Sequence, residues 1–302
     1  MGVERETAAV ATARAAGFER LHADVRSQEV RGYGWGDLDG YTAGPPCQTF
    51  STTGNGAGRA ALDHLVKAAE LVAKGYLPEE AIALVHDETL DERSILVLEP
   101  LLVIARHRPQ WILLEQVPTV RPIWEAFAAI LAERWGYHVA TDVLSAEQFG
   151  VPQTRKRAIL AAHLEQPVKL PAPTHSRYYS QDPDRLDDGV HKWVSQAEAL
   201  TSAGLPVRGE YVRSNYGTGG DASKRGVRLA VRPAFAVTGK VGRNKWRIGD
   251  QEIGRVTAQE AGVLQTFPAD HPWQGTAAEQ DQQVGNAVPP LLSAAVLTEL
   301  TK

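Results

Sequence analysis

The chain has 302 residues, 43% of them hydrophobic and 23% charged, a balance that matches an ordinary globular protein and excludes intrinsic disorder and collagen-like repetition. At roughly 150 residues per domain, this length accommodates two domains or one large domain with an inserted lobe. The net charge of −4, from 32 basic and 36 acidic residues, excludes a uniformly basic nucleic-acid binder.

From the N-terminus, residues 5–16 read as a short alanine-rich helix that Gly17 stops, since a residue without Cβ suits a left-handed C-terminal cap. Leu21-His22-Ala23 is strand-like and ends in Asp24. A glycine-rich turn region (Gly32, Gly34, Gly36) leads to an extended stretch at 38–43, which the prolines of Gly44-Pro45-Pro46-Cys47 end. Residues 88–106 carry apolar side chains at helical spacing, with a kink expected at Pro100. The longest apolar stretch lies here, at 95–105; Glu99-Pro100 interrupts it, and it is far shorter than the roughly 20 residues that cross a bilayer, so no membrane span is expected. Trp111-Ile112-Leu113-Leu114 has the form of a buried parallel strand and ends in Glu115. Residues 121–135 read as helix, with Pro122 in the first turn where a missing N–H costs little, and strands are expected at 137–143 and 157–162.

This alternation of strand and helix predicts an α/β fold with an open, mostly parallel sheet, whose ligand crevice lies at the C-terminal strand ends where Asp24, Cys47 and Glu115 fall. From about 163 to 254 the sequence turns loop-rich with short β-like runs such as Phe235-Ala236-Val237-Thr238, and a second, smaller domain is expected there. Helical periodicity returns at 257–266 and from Pro290 onward, and these helices are expected to pack back on the first domain. Between Arg208 and Arg247 ten basic residues stand against Glu210 and Asp221, a net +8 interleaved with Tyr211, Tyr216 and Trp246. That mixture suits phosphate contact and base stacking, although scattered surface arginines would look the same.

Three sets of residues could carry chemistry. A single cysteine excludes an internal disulfide and a multi-thiolate zinc site. A lone cysteine is ordinarily a buried hydrophobe, but Cys47 stands between rigid prolines and the glycine-rich run 54–58, a setting for an exposed nucleophile. Glu115, leaving a buried strand, could hold or deliver a proton near neutrality, or could simply pair with an arginine. In Gln153-Thr154-Arg155-Lys156-Arg157 the two guanidiniums would share one face of an extended chain, offering a donor fork to a carbonyl or phosphate oxygen. Gly217-Thr218-Gly219-Gly220 lacks the flanks of a phosphate loop, and the nine histidines lack zinc-protease spacing, so no metal site is expected. The N-terminus has no basic and then apolar signal pattern, which makes the cytoplasm the expected location.

Taken in order, Gly44-Pro45-Pro46-Cys47-Gln48-Thr49-Phe50-Ser51, Leu114-Glu115-Gln116-Val117-Pro118, Gln153 to Arg157, Arg255 to Glu260 with Leu264-Gln265 and Phe267-Pro268, and Gln283-Val284-Gly285-Asn286-Ala287-Val288-Pro289-Pro290 resemble five motifs of the DNA (cytosine-5) methyltransferases of prokaryotic and phage type. The resemblance implies a Rossmann-like S-adenosylmethionine-dependent fold, with a catalytic domain at 1–162 completed by 255–302 and a target recognition domain at 163–254. It implies that Cys47 attacks C6 of a flipped cytosine, that Glu115 bonds the base near N3, and that Arg157 and secondarily Arg155 contact the O2 edge or hold the catalytic loop. Cofactor contacts would come from Glu4, Asp24, Pro46, Asn286, Ala287 and Val288. DNA contacts would come from Gln48, Ser51, Lys224, Arg225, Arg228, Arg243 and Lys245. Implied partners are double-stranded DNA and a cognate restriction endonuclease.

Two departures stand out. Gln116 replaces the family's usual asparagine, and the family's opening strand with its glycine-rich cofactor loop has no counterpart ahead of Met1. The expectation is therefore a shortened chain, with neighbouring strands left short of backbone partners at about 1–3 kcal/mol for each buried group. On that expectation the alternative is a catalytically inactive DNA-binding remnant. A thiol hydrolase pairing Cys47 with His22 or His64 is the reading from another class.

Overall fold

A computed structural model describes residues 1–28, 30, 35–46, 49–50, 61–85, 91–215 and 225–302. Cys47, Gln48, Ser51, Tyr216 and Lys224, with the glycine runs 54–58 and 217–220, lie outside the described residues. The chain forms two compact units, one of residues 1–32, 145–155 and 173–293, the other of residues 33–144, 156–172 and 294–302.

The second unit is built on a four-stranded sheet in the order β3-β4-β7-β5, with β3 at Gly40–Ala43, β4 at Trp111–Gln116, β5 at His138–Ser145 and β7 at Lys156–His163. β3 runs parallel to β4, but β7 runs antiparallel to it, with Glu115 opposite Ile159 and Gln116 opposite Ala158. The sheet is mixed, with β7 as its antiparallel strand, where a mostly parallel sheet was expected. Only ten residues separate β5 from β7, and they hold no full crossover helix of the kind a parallel return needs. Alternation along the strands explains the apolar run of β4: Ile112 and Leu114 enter one core with Ala158, Leu160 and Ala162, while Leu113 enters another with Ile159, Ala161, Val296 and Leu300. The first core also receives Leu65 and Val72 of helix Leu62–Ala73, Leu101 and Ile104 of helix Glu99–His107, and Trp124 and Phe127 of helix Arg121–Ala129. Pro100 does not kink a continuous helix. It sits in the first turn of a new one, where its missing N–H has no partner to lose.

In the first unit, β1 (Gly2–Glu4) and β2 (Arg20–His22) form a parallel pair around helix α1 (Thr7–Ala15), and Gly17 ends that helix at φ +86° as expected. Strands β8 (Tyr211–Arg213), β9 (Val227–Leu229), β11 (Lys245–Ile248) and β12 (Gln251–Arg255) make an antiparallel sheet in the order β12-β11-β8-β9. The short strands β6 (Gln153–Thr154) and β10 (Ala234–Phe235) pair in parallel. Helices Ala258–Leu264 and Ala277–Asn286 share one core with this region, where Leu200, Val212 and Trp246 meet Ala261, Leu264 and Val284. Helix Ala258–Leu264 therefore packs with residues of the expected inserted lobe.

Candidate active site

Glu115 and Arg157 meet because the register of two strands brings them together. Glu115 pairs with Ile159, and Arg157 lies two residues earlier in β7 on the same face, so the side chains are diagonal neighbours. The Arg157 Nε lies 2.5 Å from Glu115 Oε1, and each side chain is only 12% exposed. This guanidinium is the arginine partner that the sequence reading held open for Glu115. The Gly44 backbone passes close by: a Cβ built there would stand 3.6 Å from Glu115 Oε2. Buried Gln116 donates from Nε2 to the Pro45 carbonyl at 2.8 Å and accepts from the Val117 N–H at 2.6 Å. The Thr119 hydroxyl donates to the Phe50 carbonyl at 2.9 Å. The segment leading to Cys47 and the strand carrying Glu115 are thus in direct contact.

Arg155 does not share the face of Arg157. It falls in the break between β6 and β7, is 2% exposed, and donates to the carbonyls of Val237 (2.6 Å), Gly285 (2.9 Å) and Ala287 (3.1 Å). Three carbonyls thus take up this guanidinium, whereas that of Arg157 meets Glu115. Gln153 completes the network, donating to the Leu264 carbonyl and Gln265 Oε1 and accepting from the Val237 N–H. Gln265, fully buried, donates to the Val284 carbonyl at 2.6 Å. Three sequence motifs are thereby knitted into one polar core, and Gly285 is obligatory within it: a Cβ there would fall 2.0 Å from the Gly239 backbone nitrogen. Gln116 and Gln265 carry no chemistry that their sequence motifs reveal. The available signal was a polar amide inside or beside an apolar run.

Among the basic residues of the lobe, Arg243 is exposed and Arg225 half-buried. Lys245 pairs with Glu252 at 2.6 Å. Arg228 lies between the Tyr178 and Phe235 rings, 4.6 and 4.5 Å from their centroids, and donates to the Pro233 carbonyl at 2.8 Å. Trp246 is fully buried in the lobe core, which corrects its expected place as an exposed stacking platform. Tyr211 turns its hydroxyl to the Gly249 carbonyl.

The family model for C-5 cytosine-specific DNA methylases matches residues 82–302. The chain belongs to this family. Among characterised relatives, it is 28% identical over 283 residues to the type II methyltransferase M1.HphI of Haemophilus parahaemolyticus, covering 88% of this chain and 68% of the relative. It is 26% identical over 271 residues to M.HgiDI of Herpetosiphon aurantiacus, covering 85% and 71%. The fold is that of the S. pombe Dnmt2 methyltransferase, with a TM-score of 0.64, 16% identity, and coverage of 99% of this chain and 89% of that one. The chain is thus an enzyme of the cytosine-5 methyltransferase class, with the α/β, Rossmann-like architecture of S-adenosylmethionine-dependent methyltransferases. The family match begins after the Cys47 segment.

The chemistry of β1 and β2 fits an adenosine group. Two acids, Glu4 and Asp24, stand at or just beyond the C-terminal ends of adjacent parallel strands, a placement suited to ribose hydroxyls and an exocyclic amine. Glu4 Oε1 accepts from the backbone N–H groups of Arg5 and Glu6 ahead of α1. Asp24 accepts from the side chain and backbone N–H of Arg26, which hold its carboxyl below the usual carboxylate range. Asn286 is exposed at the end of its helix, followed by half-buried Ala287 and Val288, and Pro46 is half-buried beside the Cys47 position. Among the described residues no cluster could hold a metal ion, and no helix is long and apolar enough to cross a membrane.

Proposed function

We propose that this methyltransferase acts on C5 of a cytosine turned out of duplex DNA, through a covalent bond between Cys47 and C6 of the base. The observation that carries the reading is the Glu115–Arg157 pair lying beside Gly44, with the chain's one cysteine three residues further on. A cytosine C5 inside the helix is both unreactive and out of reach, so the base must leave the stack. Addition of the Cys47 thiolate forms the Sγ–C6 bond and turns C5 into an enamine-like nucleophile. Glu115 hydrogen-bonds the ring near N3 and the exocyclic amine, stabilising the charge that develops during addition. Arg157 holds that carboxylate and offers its remaining N–H groups to the O2 edge. S-adenosylmethionine, held by Glu4, Asp24, Pro46, Asn286, Ala287 and Val288, supplies the methyl group. A base then removes the C5 proton, and the returning electron pair expels the Cys47 thiolate from C6.

In the same reading residues 163–254 are the target recognition domain. Gln48, Ser51, Lys224, Arg225 and Arg243 face DNA, whereas Arg228 and Lys245 act first in shaping the lobe. The type II names of the relatives favour a restriction–modification setting with a cognate endonuclease, in the cytoplasm. The test is transfer of labelled methyl from S-adenosylmethionine to mixed-sequence duplex DNA, with Cys47→Ala alongside. Label at cytosine C5 that disappears in the variant, while DNA binding remains, is expected. A folded chain that binds DNA but neither binds S-adenosylmethionine nor transfers label would be the inactive remnant instead, and label undiminished by Cys47→Ala would remove the covalent mechanism.

A further inference from the structure

One face of the antiparallel sheet β12-β11-β8-β9 is turned away from the lobe core. Val212 and Trp246 stand opposite each other and are buried in that core, so the residues on either side of them in β8 and β11 face outward. The strand pairings set these outward residues in two rows, one of Val227, Arg213, Lys245 and Arg255, the other of Leu229, Tyr211, Arg247 and Glu252. Four cations thus meet one acid among the residues that the pairings place on this face, and that acid, Glu252, is bonded to Lys245 at 2.6 Å. Asp281 of helix Ala277–Asn286 lies close to Arg255. Arg213 has no comparable partner: its Nε is buried and meets no acceptor among the described residues. The Arg247 Nε is likewise buried and unmet, while a terminal nitrogen of that guanidinium donates to the Asp250 carbonyl. We infer that Arg213 and Arg247 are a phosphate-binding pair, through which this sheet face holds the backbone of duplex DNA independently of its sequence. Neither arginine stands among the DNA contacts expected from the sequence, and the inference rests on the reading of residues 163–254 as the domain that faces DNA.

Spacing, charge and shape select the ligand. Arg213 pairs with Lys245, and Arg247 lies two residues further along β11, so the two arginines are diagonal neighbours with Cβ atoms about 7 Å apart. One DNA strand presents a phosphate for about every 3.4 Å of helix axis, so two long side chains at this spacing reach successive phosphates of one strand. A buried N–H without an acceptor is costly, and a phosphate oxygen arriving at the guanidinium fork removes that cost at both positions. Val227 and Leu229, each 48% exposed, border the pair on the edge strand and offer the sugar rings an apolar surface that keeps water from the charged contacts. The width of the sheet decides between backbone and base. Four strands span about 14 Å, more than the major groove's width of about 12 Å, so this face rests on the phosphate ridge instead of entering the groove to reach base edges.

The experiment measures equilibrium binding of the full chain to duplexes of mixed, alternating dA–dT and alternating dG–dC sequence across a salt series. Arg213→Gln and Arg247→Gln should each lower the slope of log affinity against log salt by about 1, and by about 2 when combined. The fold-loss at fixed salt should be the same on all three duplexes, because a phosphate contact carries no sequence information. Arg213→Lys keeps the charge and should keep the parent slope. Thermal denaturation establishes that each variant is folded, and if Arg213→Gln does not fold, Arg247→Gln decides the matter alone. Unchanged slopes in the folded variants would overturn the inference. A loss confined to the dG–dC duplex would overturn it too, by making these arginines readers of guanine. A parent chain that binds none of the duplexes at low salt would defeat the recognition-domain reading and this inference with it, whereas a parent that binds with a normal slope beside unresponsive variants removes the inference alone.

Discussion

Replacing Arg155 by methionine should damage stability rather than a substrate contact. Methionine keeps much of the volume and loses every donor, so the carbonyls of Val237 and Gly285 are left in a buried site without the guanidinium, while Ala287 retains its bond from Gln265. Each orphaned buried carbonyl costs about 1–3 kcal/mol, and removing the buried charge offsets part of that, leaving a net loss of about 3 kcal/mol. For a compact unit of roughly 160 residues this lowers the melting temperature by about 10 °C. Arg155→Lys should fall between, because one ammonium cannot reproduce a planar fork that serves three carbonyls. Thermal denaturation by circular dichroism gives the shift, and hydrogen exchange over 234–241 and 283–290 should quicken locally. Arg157→Met is the control, since its partner is Glu115 and those peptides should not respond. A melting temperature within about 2 °C of the parent, combined with lost methyl transfer, would refute the structural assignment and return Arg155 to the catalytic set.

Two further outcomes separate roles within the first unit. Arg225→Ala and Arg243→Ala should each lower the slope of log DNA affinity against log salt by about 1, whereas Arg228→Ala should leave the slope nearly unchanged and lower the lobe's melting temperature, as it empties the space between Tyr178 and Phe235. Titrated binding between low and moderate salt checks both, and a falling slope in Arg228→Ala at full stability would place that guanidinium on DNA. Burial lowers the pKa values of His175 and His271; neighbouring His191 adds to the effect at His175, and Asp270 opposes it at His271. The unfolded chain then binds protons first as pH falls below about 6.5, so the contribution of the neutral rings is complete above that pH and is lost as pH falls toward their folded values. Urea unfolding at pH 7.5 and 5.5 should show this decline, and His175→Gln with His271→Gln should flatten it; a decline of the same size in the double variant would exclude these rings as its source.

The local sequence determined the elements whose signals are themselves local. The apolar run of Trp111 to Leu114 defined a buried strand, the alanine-rich stretch before Gly17 defined α1, and Pro122 marked a first helical turn, because period, propensity and backbone restriction act over a few residues. The order of Cys47, Glu115, Gln153 and the later motifs likewise marked the family without coordinates. Pairings across long stretches of chain were not legible. Nothing local distinguishes Arg155 from Arg157, yet one ends among the carbonyls of residues 237, 285 and 287 and the other against Glu115. Nor does Trp246 differ locally from an exposed aromatic in a basic run; its place in β11, between Lys245 and Arg247, turns it into the core while the charges face out. β7 became antiparallel through its short connection, and Gln116 gained its role only when Pro45 was folded against it. In each case the deciding partner lies far away in sequence, and only the folded backbone brings donor to acceptor or apolar face to apolar face.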